Sequence, residues 1–97
     1  MSETLVLEFD GGDAGHYQRT NEILGVDFNT GDGDWPPGLI SHVGSTGGGK
    51  LMVVEVWESQ ADAQAFFESR LGSALQQAGV PAPSRQEWRH TEGTYHF

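Results

Sequence analysis

His42 is the residue of this sequence best suited to do chemistry. It follows Trp35-Pro36-Pro37-Gly38, a rigid turn that would fix the direction of the strand after it. A neutral imidazole there can act as a base or orient a carbonyl, although a half-buried histidine bonded to backbone fits the same placement. Glu55 is the only charge between Leu51 and Trp57. Burial penalises a charged carboxylate, so Glu55 is a candidate general acid or base with His42 or His90 as partner. Its plainer reading is a buried carboxylate paired with Arg89 or bonded to a hydroxyl.

A second group of residues suits binding. Tyr17 and Asn21 stand one helical turn apart and can present a phenol and an amide to a cavity between helix and sheet. Core packing with one satisfied hydrogen bond is the alternative. Trp35, in a loop, and Trp57, in a strand, can wall an aromatic ligand site, though an in-strand Trp is often plain core. His90 shares a strand face with Trp88 and completes the candidates. The catalytic set is therefore His42 and Glu55, and the substrate-binding set Tyr17, Asn21, Trp35, Trp57 and His90. His16, in a first helical turn, and His96, in the tail, are expected to be exposed.

Other chemistries find little support. Four histidines without cysteine make no metal spacing, so no metal and no bound cofactor are expected. Asp27, Asp32 and Asp34 are interspersed with glycines but lack the terminal glutamate of an EF-hand. Gly47-Gly48-Gly49-Lys50 should connect two strands and precedes no helix, so it is not a phosphate loop. The formal charge of -9, with cations scattered at Arg19, Lys50, Arg70, Arg85 and Arg89, argues against nucleic acid. It also disfavours anionic membrane surfaces. No apolar run approaches a membrane span, no secretory signal is visible, and the expected location is cytoplasmic.

The elements that must position these residues can be read from periodicity. The 97 residues suit one domain spanning 1–97. Thr4–Phe9 is a predicted strand with Leu5, Leu7 and Phe9 on one face. Asp13 caps a helix over Ala14–Leu24, whose Tyr17, Thr20, Asn21 and Leu24 share a face, and Gly25 ends it. Residues 26–37 form a long loop, and long loops are often functional. Leu39–Val43 is a second strand, connected through Ser45–Gly49 to a third over Leu51–Trp57. That third strand is apolar on both alternating faces, which predicts cover on both. Ser59 caps a helix with a stripe at Ala63, Phe66, Phe67, Arg70, Leu71, Ala74, Leu75 and Ala78, and Gly72 predicts a kink or break. Arg85–Thr91 is the fourth strand.

The order β-α-β-β-α-β is that of a ferredoxin-like α+β sandwich with one antiparallel sheet and both helices on one face. Met52, Val54 and Val56, or their alternates along the strand, would then form a bare apolar patch, which pairing of two sheets across a two-fold axis removes. A homodimer is expected.

The chain resembles the dimeric α+β barrel superfamily, in particular small antibiotic-biosynthesis-monooxygenase-like proteins of an uncharacterised bacterial subgroup. The likeness is carried by Val53-Val54-Glu55-Val56-Trp57-Glu58-Ser59, by Ala65-Phe66-Phe67-Glu68-Ser69-Arg70-Leu71, and by Trp35-Pro36-Pro37-Gly38-Leu39-Ile40-Ser41-His42. It implies the dimeric barrel fold. It also implies a cofactor-independent monooxygenase-like activity on an aromatic small molecule. The alternative is a non-catalytic dimer that binds a small ligand, haem among them with His42 or His90 as axial residue, or whose pocket is filled by its own side chains. Fold analogy does not choose between them.

Overall fold

The computed structural model describes residues 2–27 and 29–95; the expected exposure of His96 lies outside them. The chain runs β1 (Glu3–Asp10), α1 (Ala14–Leu24), β2 (Leu39–Gly47), β3 (Lys50–Trp57), α2 (Gln60–Phe66), a π-helical turn (Phe67–Leu71), α3 (Gly72–Gln77) and β4 (Arg85–His90). The strands form one antiparallel sheet in the order β2-β3-β1-β4. This is the expected ferredoxin-like α+β arrangement.

Period-two alternation decides which side chains meet the helices. Leu5, Leu7 and Phe9 of β1 and Leu51, Val53 and Trp57 of β3 pack with Ala63, Phe66, Leu75 and Val80 into one core. Each such large apolar side chain contributes roughly 1.5–3 kcal/mol on burial. The opposite face is different. Met52, Val54 and Val56 are only half-buried, and Val43 is 58% exposed. Among the described residues the helices cover β3 on one side only.

Capping follows the sequence closely. Asp13 Oδ1 accepts the His16 N–H at 2.8 Å, and His16 Nδ1 accepts the Asp13 N–H at 3.3 Å. His16, expected to stand in solvent, is partly covered and closes a reciprocal capping box in place of the usual Glu or Gln. Ser59 Oγ accepts the Asp62 N–H at 3.2 Å and starts α2.

Three details differ from expectation. First, β2 runs on to Gly47 and β3 begins at Lys50, so the connection is Gly48-Gly49 alone and not Ser45–Gly49. Both glycines have positive φ, 60° and 77°, the geometry of a tight hairpin turn. Second, β4 ends at His90. Third, the helix is interrupted next to Gly72, as expected, but by a π-helical turn: the Gly72 N–H bonds the Phe67 carbonyl, while Gly72 itself keeps helical φ and ψ of -57° and -45° and opens α3. Phe67 itself keeps the α register, its N–H bonded to the Ala63 carbonyl, yet it is 47% exposed and leaves the expected apolar stripe.

Candidate functional site

His42 lies directly opposite Glu55 across β2 and β3. Residues opposite one another share a sheet face, so both point toward the helices. A bulge between Leu39 and Ser41 matters here. Leu39 and His42 both line the same cavity, though residues three apart in a regular strand face opposite sides. The added residue, Ile40, is 43% exposed and absorbs the mismatch.

The pair belongs to a longer hydrogen-bonded chain. His42 Nδ1 is 2.6 Å from Glu55 Oε2, and His42 Nε2 is 2.7 Å from the Tyr17 hydroxyl. The Trp57 indole N–H donates to Glu55 Oε1 at 3.1 Å. Both carboxylate oxygens of Glu55 are thus engaged, and the His42 and Glu55 side chains are only 12% and 7% exposed. Burial pushes the Tyr17 phenol up to about 12; the Asn21 amide opposes the rise and the Glu55 charge adds to it. Tyr17 is therefore a neutral donor near neutral pH. Its hydroxyl can donate a hydrogen bond to His42 Nε2 when His42 is the tautomer whose Nδ1–H donates to Glu55.

Close approach makes this possible. The Tyr17 ring stacks on His42 with centroids 5.8 Å apart and planes 23° from parallel. A Cβ at Gly44 would stand 2.4 Å from the Tyr17 ring, so glycine there lets α1 lay its phenol on β2. Trp35 approaches His42 from the long loop, with ring centroids 6.1 Å apart, and its indole N–H donates to the Gly31 carbonyl at 3.0 Å.

These side chains border an apolar cavity of about 60 Å³, lined among others by Tyr17, Asn21, Trp35, Leu39, His42 and Glu55. A wider cleft of about 360 Å³ opens on the other side, toward β4, walled by Trp57, Phe66, Phe67 and Trp88, with Gln60, Gln64, Glu68 and Gln86 also around it. Leu7, Phe9, Glu55, Phe66, Leu71 and Leu75 line both spaces.

Of the residues singled out from sequence, His42, Glu55, Tyr17, Asn21 and Trp35 come together at the smaller cavity. Trp57 is 1% exposed and joins through its bond to Glu55, as core and support at once. His90 does not join them. It stands on the outer strand β4, its side chain 52% exposed and 3.9 Å from Glu92. Arg89, considered as a partner of Glu55, pairs with Glu87 instead. Asp27 Oδ1 is occupied by the Asn29 and Thr30 N–H groups, and Asp34 faces Arg70. Among the described residues no group of three or more His, Asp or Glu side chains is arranged to hold a metal.

Gly44 and Arg70 were not singled out as site residues. Gly44 was legible in principle, because a glycine inside a strand signals a close approach. The strand was expected to end one residue before it. Arg70 carried no local signal, since its partners are far off in sequence.

No protein-family model and no curated protein matches the chain. Solved structures do. A candidate antibiotic biosynthesis monooxygenase from Chloroflexus aurantiacus is similar at a TM-score of 0.68 and 14% identity, over 99% of this chain and 98% of that one. A variant of SnoaB, a cofactor-independent oxygenase from Streptomyces nogalater, is similar at 0.59 and 13%, over 96% and 95%. A candidate antibiotic biosynthesis monooxygenase from Deinococcus radiodurans gives 0.56 and 14%, over 100% and 98%. Among the described residues no helix is long and apolar enough to cross a membrane. At these identities the likeness speaks for architecture, and the chain has the α+β fold of the antibiotic-biosynthesis-monooxygenase-like proteins.

Proposed function

We propose that this chain is a cofactor-independent monooxygenase-like enzyme acting on an aromatic small molecule, working as a cytoplasmic homodimer. The observation that carries the reading is His42, held between Glu55 and Tyr17 beside an apolar cavity.

In this reading a phenolic or enolic substrate takes the place of Tyr17 at His42 Nε2. His42 removes the hydroxyl proton, and Glu55 stabilises the imidazolium that forms. The electron-rich anion then reacts with molecular oxygen. One oxygen atom stays on the ring carbon as a carbonyl, and the other leaves as water with two hydrogens from the substrate. The apolar walls favour this by excluding water from the charged intermediate.

The size of the cavity constrains the reading. At about 60 Å³ it is smaller than the roughly 150 Å³ apolar cavity that admits benzene. An aromatic ring reaches His42 only if Phe66, Leu71 and Leu75 shift and join the cavity to the wider cleft. Haem does not fit at His42: both its nitrogens are engaged, and a porphyrin far exceeds the smaller cavity.

The same small volume favours a second reading, a non-catalytic dimer whose pocket is filled by its own side chains. Oxygen uptake with anthrol- and quinol-type compounds separates the two. Uptake that His42→Ala abolishes supports the enzyme. No uptake, together with no thermal shift across an aromatic panel, supports the filled core.

A further inference from the structure

The π-helical turn carries Arg70, whose side chain reaches across the structure to two other elements. One terminal nitrogen donates to the Leu24 carbonyl at 2.8 Å and to the Asp34 carbonyl at 2.7 Å. The Asp34 carboxylate lies 3.4 Å from the same nitrogen, and the guanidinium sits 5.4 Å above the Phe66 ring. Leu24 is the last residue of α1, where carbonyls lack helical donors and carry the negative end of the helix dipole. Asp34 immediately precedes Trp35.

The loop is already folded back on α1, with the Asp34 N–H bonded to the Gly25 carbonyl at 2.9 Å and a bridge between Val26 and Gly33. These bonds join the loop to α1. Arg70 adds hydrogen bonds from the second helical segment to both. Charge-assisted bonds to carbonyls of this kind are about twice as strong as neutral ones.

We infer that Arg70 is a positioning residue for the His42 site: it clamps the loop so that Trp35 stays against His42. The inference rests on the reading of His42 as the working group. Its test measures the placement of Trp35 and not turnover, so a failure of either can be told from a failure of the other.

The test uses the full chain labelled with 5-fluorotryptophan, with the Trp35 resonance assigned by Trp35→Phe. Arg70→Met keeps the apolar stem on Phe66 and removes every donor. The expected result is a rise of about twofold in the relaxation of Trp35 by a soluble paramagnetic agent, as the open population grows. Trp57 and Trp88 should stay unchanged. The His42 ring-proton shifts should move toward those of Trp35→Phe, a signature that general loosening does not give. Arg70→Lys should restore part of the wild-type signal, because an ammonium reaches carbonyls but lacks the planar fork. Asp34→Asn should have little effect, since it spares both carbonyl bonds. Should Arg70→Met not fold, Arg70→Gln, too short to reach both carbonyls, is read in the same way. An unchanged Trp35 overturns the inference, as does an equal rise at all three tryptophans. An Asp34→Asn effect as large as that of Arg70→Met overturns the assignment to the carbonyl bonds.

Discussion

His42 and Glu55 face each other at 2.6 Å across two adjacent strands whose register is fixed by the Gly48-Gly49 turn. The geometry of the pair thus depends on the sheet ladder and not on a mobile loop. A one-residue slip would turn His42 away from Glu55 and the helices.

If His42 is the base, His42→Ala lowers kcat/KM by about 10²–10⁴, the range for loss of a general base. Glu55→Gln keeps an acceptor but loses the charge, and should cost part of that. Tyr17→Phe tells a relay from a placeholder. As a relay it falls with His42→Ala, and as a placeholder it leaves kcat intact. Steady-state oxygen uptake measures all three, and undiminished uptake in His42→Ala rules out the mechanism.

Tyr17 also sets an alkaline limit. Its folded pKa of about 12 lies above the ordinary value of 10.0. Below pH 10 both states are protonated and this contribution to stability is fully present. Between about 10 and 12 the unfolded chain ionises first, so stability falls as pH rises. Discounted for partial exposure, the loss is on the order of 1–2 kcal/mol. Lys50, raised mainly by its bond to Glu8, loses its contribution in the same direction. Urea unfolding of Tyr17→Phe against wild type isolates the phenol, and equal slopes over that window refute the assignment.

The fold was legible because it rests on local signals. Leu5, Leu7 and Phe9 alternate, Asp13 and Ser59 cap, and Gly25 terminates, each within a few residues of its effect. The site was partly legible for the same reason. His42, Glu55, Tyr17, Asn21 and Trp35 are chemically unusual for their segments. Of their contacts, only the pairing of Glu55 with His42 was among those expected; the bulge at Ile40 and the length of the turn set which other side chains meet, and both emerge only from strand pairing. His90 misled because a regular strand face says nothing about which strand lies at the edge.

Gly44 tests close approach by sterics alone. An alanine Cβ would sit 2.4–2.6 Å from Tyr17 ring and hydroxyl atoms, so Gly44→Ala must displace the phenol. Overpacking of this kind costs about 1–3 kcal/mol. In activity the variant should match Tyr17→Phe. A thermal melt unchanged within error would show that the ring has room to move.

Leu71 separates the two spaces beside Glu55. Leu71→Ala should join them into one ligand-sized site, at a cost near the low end of the roughly 2–5 kcal/mol typical of Leu→Ala, because Leu71 is only half-buried. Affinity for a naphthol probe, read by fluorescence titration, should rise. A loss of stability with no gain in affinity would mean that the spaces collapse rather than merge.

The bare sheet face makes the last prediction. Val43, Val54 and Val6 stand in one row across β2, β3 and β1, each directly opposite the next. Above and below them lie Met52 and Val56, and along the β4 side run the ion pairs of Glu8 with Arg85 and of Glu87 with Arg85 and Arg89. An apolar strip bordered by matched charges suits face-to-face pairing with a second copy, because the strip buries while the border keeps its partners. Light scattering after size exclusion should give twice the 10.5 kDa chain mass. Val54→Lys places an unpaired ammonium at the centre of that contact and should yield a monomer, since a buried charge without a partner is strongly unfavourable. A wild-type monomer at micromolar concentration would remove the dimer from the proposal, and an unchanged dimer in Val54→Lys would move the interface to another surface.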